Sequence, residues 1–317
     1  MIEAKVTRIE SKDIYVITSE NMEYRCVLPG RIKKSFNLKK DKLHTLDIVA
    51  VGDLVKIEKV DDDRAVIESV LPRQNYISRK APKIRGAGIR GQRLEQIIAA
   101  NVDLFIHVAS VTEPDFNNRF VDRMIVIAES NQVDFALLIN KIDLAFDDKI
   151  RKWEKLYNSL GYNVILTSVT EKKNLFKIKE LIKDKTVLFW GQSGVGKSSL
   201  LNSIDEQIEL KVGDISDYSG KGKHTTVTSR LIRLNNMELI DTPGVRELEP
   251  YGIRKEDLGH YFTEFTKYIP ECRFNSCTHF HEPGCAVRKA VESEEISFER
   301  YESYLNLLQT VEEDIIF

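Results

Sequence analysis

An apolar run, Val187-Leu188-Phe189-Trp190, leads into Gly191-Gln192-Ser193-Gly194-Val195-Gly196-Lys197-Ser198 and then into the helix-like Ser199-Leu200-Leu201-Asn202. Strand, glycine-rich loop and helix in this order are the setting of a phosphate-binding loop, and they confine the chain to an α/β fold. The glycines let the backbone curl so that successive N–H groups point inward, and the helix N-terminus adds partial positive charge where a polyphosphate lies. On this reading Lys197 reaches the β- and γ-phosphates, Ser198 offers its hydroxyl to Mg²⁺, and Ser199 donates to the α-phosphate. Glycines serving only tight packing are the structural alternative, which the match at all eight positions disfavours. The loop specifies a nucleoside triphosphate and leaves the base open.

Three further segments supply what the loop lacks. The strand-like Phe135-Ala136-Leu137-Leu138-Ile139 ends in Asn140-Lys141-Ile142-Asp143, where the Asp143 carboxylate can accept two parallel hydrogen bonds from guanine, a donor pair that adenine lacks. Asn140 would help to fix the base, and the Lys141 stem would lie along its face. After a helix at 151–160 and a strand at 163–166 comes Thr167-Ser168-Val169, where Ser168 and Val169 would present a backbone N–H to the guanine carbonyl. Beyond the phosphate loop, Gly222-Lys223-His224-Thr225-Thr226 sits among glycines, and a hydroxyl from Thr225 or Thr226 can close on Mg²⁺ only while a γ-phosphate is present. Met237-Glu238-Leu239-Ile240 then ends in Asp241-Thr242-Pro243-Gly244, which places Asp241 on Mg²⁺ through water and the Gly244 N–H against the γ-phosphate.

The base-reading segments precede the phosphate loop, the reverse of the usual GTPase order. Each still follows a strand, so a circularly permuted chain can keep the parallel sheet and its ligand crevice at the carboxyl edge.

The flanks are of different character. At 317 residues, with 42% apolar and 30% charged, the chain is long enough for two or three globular domains. It has no apolar run of the roughly twenty residues a membrane span needs, and Met1-Ile2-Glu3-Ala4-Lys5 is no secretory signal, so a cytoplasmic protein without a membrane partner is expected. Residues 1–72 alternate in short strands, at 4–6, 14–17, 24–28, 54–57 and 65–67, which suits a small closed barrel of the OB type. A loop from Pro29 to Leu46 carries Arg31, Lys33, Lys34, Lys39, Lys40 and Lys42 around Phe36, a composition that suits single-stranded nucleic acid or a merely solvated loop. Residues 73–93 have no apolar period and read as a basic linker that stays mobile until an anion orders it. Residues 1–93 hold twenty Lys and Arg against thirteen Asp and Glu, although the whole chain is at −2, so the polyanionic partner belongs to this end. The GTPase domain is expected over 94–247.

Three of the four cysteines fall in the remaining region, 248–317. Cys272, Cys277 and Cys285, with His279 or His281, can close a tetrahedral Zn²⁺ site that leaves no position for a substrate water and so reads as structural. Tyr301, Tyr304, Leu305, Leu308 and Val311 recur at helical spacing after it, a stripe expected to pack on this mainly helical module or on the GTPase.

Barrel, permuted GTPase and Cys272…Cys277-x-His279…Cys285, together with Gly-Lys-His-Thr-Thr at 222–226, resemble the ribosome-small-subunit-dependent GTPases, the RsgA (YjeQ/YloQ) family, over nearly the whole chain. The resemblance favours His279 over His281 as fourth ligand. It implies binding of the small (30S) ribosomal subunit during late maturation and GTP hydrolysis there; 16S rRNA is the expected polyanion, hydrolysis is expected to release the protein, and a monomer is expected. The residue after Asp-x-x-Gly, where many GTPases carry a water-orienting Gln, is Val245, which cannot hydrogen-bond the attacking water. Intrinsic hydrolysis is therefore expected to be slow, with His224 positioning water once the subunit orders the loop. A signalling or transport GTPase, or an RNA-binding module with a vestigial nucleotide site, would share parts of this pattern.

Overall fold

The structure, a computed structural model, describes residues 1–10, 12–30, 32, 47–80, 95–144, 148–205, 208, 229–234, 236–242 and 248–311. Five strands, β1 (Ile2–Glu10), β2 (Asp13–Thr18), β3 (Glu23–Val27), β4 (Leu54–Lys59) and β5 (Arg64–Val70), form the first unit. Alternate residues point inward, and Val6, Val16, Cys26, Val55, Ile57 and Ile67 are fully enclosed. β1 pairs with both β2 and β4, β2 with β3, β3 runs parallel to β5, and β5 pairs with β4. The ring closes, so no edge is left, as in the expected OB-type barrel.

A two-stranded ribbon follows, β6 (Tyr76–Lys80) against β7 (Glu95–Ala100). Part of the stretch expected to be a mobile linker is therefore strand. Lys80 lies opposite Glu95 and Arg79 opposite Gln96, whose side-chain oxygen accepts from the Arg79 guanidinium at 3.0 and 3.1 Å. Arg73 is likewise committed: its guanidinium bonds both carboxylate oxygens of the fully buried Asp53, at 2.6 and 2.8 Å, and so clamps the end of the barrel.

The main sheet contains β8 (Leu104–Ser110), β9 (Asp134–Asn140), β10 (Asn163–Leu166), β11 (Thr186–Gly191), β12 (Arg230–Leu234) and β13 (Met237–Asp241) in the order β10-β9-β8-β11-β13-β12. All neighbours are parallel except β12, which runs antiparallel to β13. β8 is buried at every position and is apolar except at His107 and Ser110, because helices cover both faces. One face packs Phe105, Leu137, Ile139, Leu188 and Trp190 under α1 (Asn118–Ser130) and α2 (Lys149–Ser159). The other packs Ile106, Leu138, Val187 and Phe189 under α3 (Leu175–Ile182) and α4 (Lys197–Ile204). Asn117 begins α1 by accepting from the Phe120 N–H, an ordinary N-cap.

Barrel and sheet are joined. β1 also pairs with β12, at Arg8 opposite Arg230, the Ala100 N–H donates to Val51 O at 2.8 Å, and the Lys5 ammonium donates to Thr186 Oγ1 and to the Glu238 carboxylate.

The C-terminal unit consists of α5 (Lys255–Leu258), three single 3₁₀ turns between Gly259 and Glu271, α6 (Ala286–Glu292) and α7 (Phe298–Leu308). Helix α7 is buried on two sides. Tyr301, Tyr304 and Leu308 enter the module's own core, as the stripe suggested. Arg300, fully buried, crosses to the GTPase side, donating to Asp122 on α1 at 2.6 Å and to both oxygens of Glu264 at 2.7 and 3.1 Å, with its guanidinium 4.5 Å from the Phe262 ring centroid. Tyr157 completes the cluster by donating to Asp122 at 2.7 Å.

Candidate nucleotide crevice and metal cluster

The loop leaving β11 curls through Gly194 and Gly196, both at φ 87°, before α4 begins at Lys197. Gly196 must be glycine on two counts. Its conformation is left-handed, and a Cβ there would come within 2.5 Å of Asn140 Nδ2. Asn140, at the end of β9, fills that space and donates Nδ2–H at 2.9 Å to the O of Val195, fifty-five residues further along the chain. The segment expected to read the base is thus fastened to the segment expected to hold phosphate, and both sit at the carboxyl edge of the sheet. Asn140 Oδ1 is buried without a hydrogen-bond partner among the described residues.

Lys141 takes φ 64°, and its ammonium reaches across to Glu113 O at 2.5 Å. Asp143 follows on a single 3₁₀ turn, Ile142–Leu144, and is only partly buried. The Ile142 N–H donates to Thr167 O, and the Thr167 N–H to Ile139 O, which brings the 167–169 segment beside Asp143. Ser168 is fully buried, and its hydroxyl accepts from the Glu171 N–H at 3.0 Å, so what it contributes is a fixed backbone. Gln192, Ser193 and Ser199 are less enclosed than Lys197 and Ser198, which are both buried. The Lys197 ammonium contacts the Asp241 carboxylate at the end of β13, so the loop lysine and the candidate magnesium carboxylate share one point. Burial pushes the Lys197 pKa down to about 8. His224, Thr225, Thr226, Gly244 and Val245, the loop residues Arg31, Lys33, Lys34, Phe36, Lys39, Lys40 and Lys42, and residues 81–93 of the expected linker lie outside the described residues.

Sequence reading missed the aromatic floor beneath the loop. Trp190 stacks on Phe120 of α1 at 4.9 Å and on His107 of β8 at 5.4 Å, and burial drives the His107 pKa down to about 3, so its ring is neutral. Strand pairing of Trp190 with His107 sets this stack. Only three-dimensional register reveals it, because the two residues lie far apart in the chain.

In the C-terminal unit, one donor atom each from Cys272, Cys277, His279 and Cys285 lies within 4.8 Å of all the others. His279 Nδ1 is 3.4 Å from Cys285 Sγ and 3.7 Å from Cys272 Sγ, whereas His281 is exposed and outside the cluster. His279 sits at φ 54°, a conformation that costs a non-glycine residue about 1 kcal/mol. It is held there by Tyr301, whose hydroxyl donates to His279 O at 2.7 Å. The Glu282 carboxylate accepts from the N–H groups of Thr278, Phe280 and His281, and this bonding lowers its pKa to about 2 despite partial burial. Burial and the neighbouring sulfurs push the Cys277 thiol up to about 12 and raise Cys285 as well. Three sulfurs and one imidazole nitrogen converging within this distance are a donor set that fits a soft, four-coordinate metal ion.

Among the described residues, no helix is long and apolar enough to cross a membrane. The family model for RsgA GTPase matches residues 70–250. A small ribosomal subunit biogenesis GTPase RsgA from Chlorobaculum tepidum is 38% identical over 313 residues, 97% of each chain. One of the same name from Caldanaerobacter subterraneus subsp. tengcongensis is 36% identical over 300 residues, covering 94% of this chain and 92% of its own. The crystal structure of YjeQ from Thermotoga maritima superposes with a TM-score of 0.74 at 32% identity, covering 98% of both chains. That of YloQ, a circularly permuted GTPase, gives 0.70 at 28% identity over 98% of this chain and 95% of its own. Permuted strand order, closed barrel and Cys₃His cluster thus coincide in one chain with these likenesses, and it belongs to the RsgA GTPase family.

Proposed function

We propose that this chain is a GTP hydrolase that binds the small ribosomal subunit late in its maturation, is stimulated by it, and leaves after hydrolysis. The observation that carries the nucleotide half is the bond from Asn140 Nδ2 to Val195 O, which makes one crevice of the base-reading and phosphate-reading segments. In that crevice Asp143 accepts from guanine, Asn140 Oδ1 offers a remaining acceptor, and the backbone of Ser168 and Val169 faces the guanine carbonyl. The N–H groups from Gly191 to Ser199 cradle the phosphates while the Lys197 ammonium neutralises the terminal ones. Mg²⁺, when bound, offsets the charge gathering on the phosphate oxygens; Ser198, Asp241 through water, and Thr225 or Thr226 would hold it. Lys197 is released from Asp241 as phosphate oxygens replace that carboxylate. His224 and the Gly244 N–H complete the site in the subunit-bound state, where Val245 offers no hydrogen bond to the attacking water.

Cys272, Cys277, His279 and Cys285 would hold Zn²⁺, which supplies a fixed four-way crosslink and no open position for chemistry. The chain then works as three units, 1–72, 94–247 and 248–317, acting in the cytoplasm as a monomer, with the basic N-terminal end facing 16S rRNA. The test is GTP turnover by the whole chain with and without purified 30S subunits. Turnover that rises severalfold or more supports the reading, and equal turnover in the two samples rejects it.

A further inference from the structure

Helix α1 belongs to two cores at once. Its Val126 packs in the core of the C-terminal unit, while Val121, Met124 and Ile125 pack on the main sheet. The C-terminal unit also grips it by polar contacts. Arg300 donates to Asp122, Asn118 Nδ2 donates to Ser303 Oγ at 3.2 Å, and Arg119 pairs with Glu302 at 3.0 Å. The last pair is exposed and contributes little, whereas Arg300 and Asp122 are fully buried.

The first turn of the same helix lies against the phosphate loop. Phe120 stacks on Trp190 and lies 5.6 Å from His107, so three rings meet. Trp190 and His107 stand on paired strands, and Phe120 alone is carried by a helix, where the Arg123 guanidinium lies 5.9 Å from its ring. With Gln192 and Val195 of the loop, Phe120 and His107 also line a cavity of about 10 Å³. Little slack separates this floor from the loop. A Cβ at Gly191, the residue after Trp190, would come within 2.6 Å of Val108 O, and one at Gly194 would meet Glu113 O and Pro114 Cδ at 3.5 Å. The segment entering α1 is tied to the base-reading motif, through the Lys141 ammonium on Glu113 O, and to β8, through the Ser110 hydroxyl on Pro114 O at 2.7 Å.

We propose that Phe120 is a positioning residue for nucleotide binding: α1, held by the C-terminal unit, seats its ring on Trp190 and so fixes where the phosphate loop lies. The inference rests on the nucleotide half of the function proposed above, and adds that the C-terminal unit and the nucleotide crevice are energetically coupled through α1. Such coupling is reciprocal, so nucleotide strengthens the hold of the C-terminal unit by the factor by which that hold strengthens nucleotide binding. A stack between helix and strand suits this task, because close-packed rings have preferred offsets and pass a shift on rather than absorb it.

The test uses the full chain, with the zinc of its Cys₃His knuckle verified by metal analysis, and mant-GDP as the probe. Phe120→Leu keeps apolar bulk and removes the stack, and is expected to weaken mant-GDP binding roughly three- to tenfold. Phe120→Tyr, which keeps a ring, should restore it. In a Trp153→Phe background Trp190 is the single tryptophan, and its emission should shift when GDP binds, less so once Phe120→Leu is added. Arg300→Met should weaken binding while Phe120 is present and add little in Phe120→Leu. Ser303→Ala removes the partner of Asn118 and Asp122 and makes the same comparison if Arg300→Met does not fold. Wild-type affinity in Phe120→Leu, or no recovery in Phe120→Tyr, overturns the proposal, and so do losses from the two ends of α1 that simply add. A wild-type chain that binds no guanine nucleotide refutes the functional reading itself, whereas one that binds it equally well with and without the Phe120 ring refutes only this inference.

Discussion

Arg300 offers the sharpest test of how the C-terminal unit is held. Replacing it by methionine keeps most of the volume and removes three charge-assisted hydrogen bonds, leaving Asp122, fully buried, and Glu264 facing each other without a cation. Breaking a buried pair from one side costs about 3–5 kcal/mol, because the abandoned charge cannot return to water. A fall of roughly 10 °C in melting temperature is expected from a loss of that size. Tryptophan emission is a suitable reporter, since Trp153, one of the two tryptophans, stacks on Tyr157, which donates to Asp122. The loss should also depend on pH. Burial already pushes the Asp122 pKa up while Arg300 pulls it down, so in Arg300→Met the folded-state pKa stands further above the unfolded value. An acid with a raised folded pKa stabilises the fold as pH falls through that value, so the deficit in urea unfolding should shrink from pH 8 to pH 5. Adding Asp122→Asn should recover part of it at pH 8. A single variant within about 0.5 kcal/mol of wild type, or a deficit that grows on acidification, would refute the reasoning.

Other outcomes follow from the crevice and the knuckle. Asn140→Leu strands the Val195 carbonyl and should weaken guanine nucleotide binding by about 1–3 kcal/mol with the barrel intact, measured by calorimetry. Gly196→Ala should abolish binding, since its Cβ has no room beside Asn140. Asp143→Asn should shift preference from guanine toward xanthine nucleotides, read by competition. Cys285→Ser should lose bound zinc by metal analysis and expose the 248–311 segment to protease, while nucleotide binding by the P-loop survives.

What the sequence disclosed depended on how local the signal was. The phosphate loop and the strands before Asn140 and Asp241 were legible because each motif is contiguous and each strand announces itself by its apolar run. Barrel strands were legible as short β-branched and aromatic runs between turn residues, and alternate members are buried, Val16 between the partly exposed Tyr15 and Ile17 and Cys26 between the exposed Arg25 and Val27. The β6–β7 ribbon was not legible: Arg79 and Lys80 look like linker charges until Gln96 and Glu95 are placed opposite them. Arg300 was hidden for the same reason. Its neighbours Tyr301 and Tyr304 reveal one buried side of the helix, but a buried arginine is indistinguishable from a solvated one when its partner, Asp122, lies 178 residues away.

The junction of β1 with β12 has a further meaning. Without the barrel, β12 would be the outermost strand of the main sheet, with unsatisfied N–H and C=O groups ready to recruit any passing chain. The N-terminal unit meets that flank at Arg8 opposite Arg230 and through the Arg233 guanidinium, which donates to Thr18 O, so a version trimmed back to the main sheet would bare both points to a passing strand.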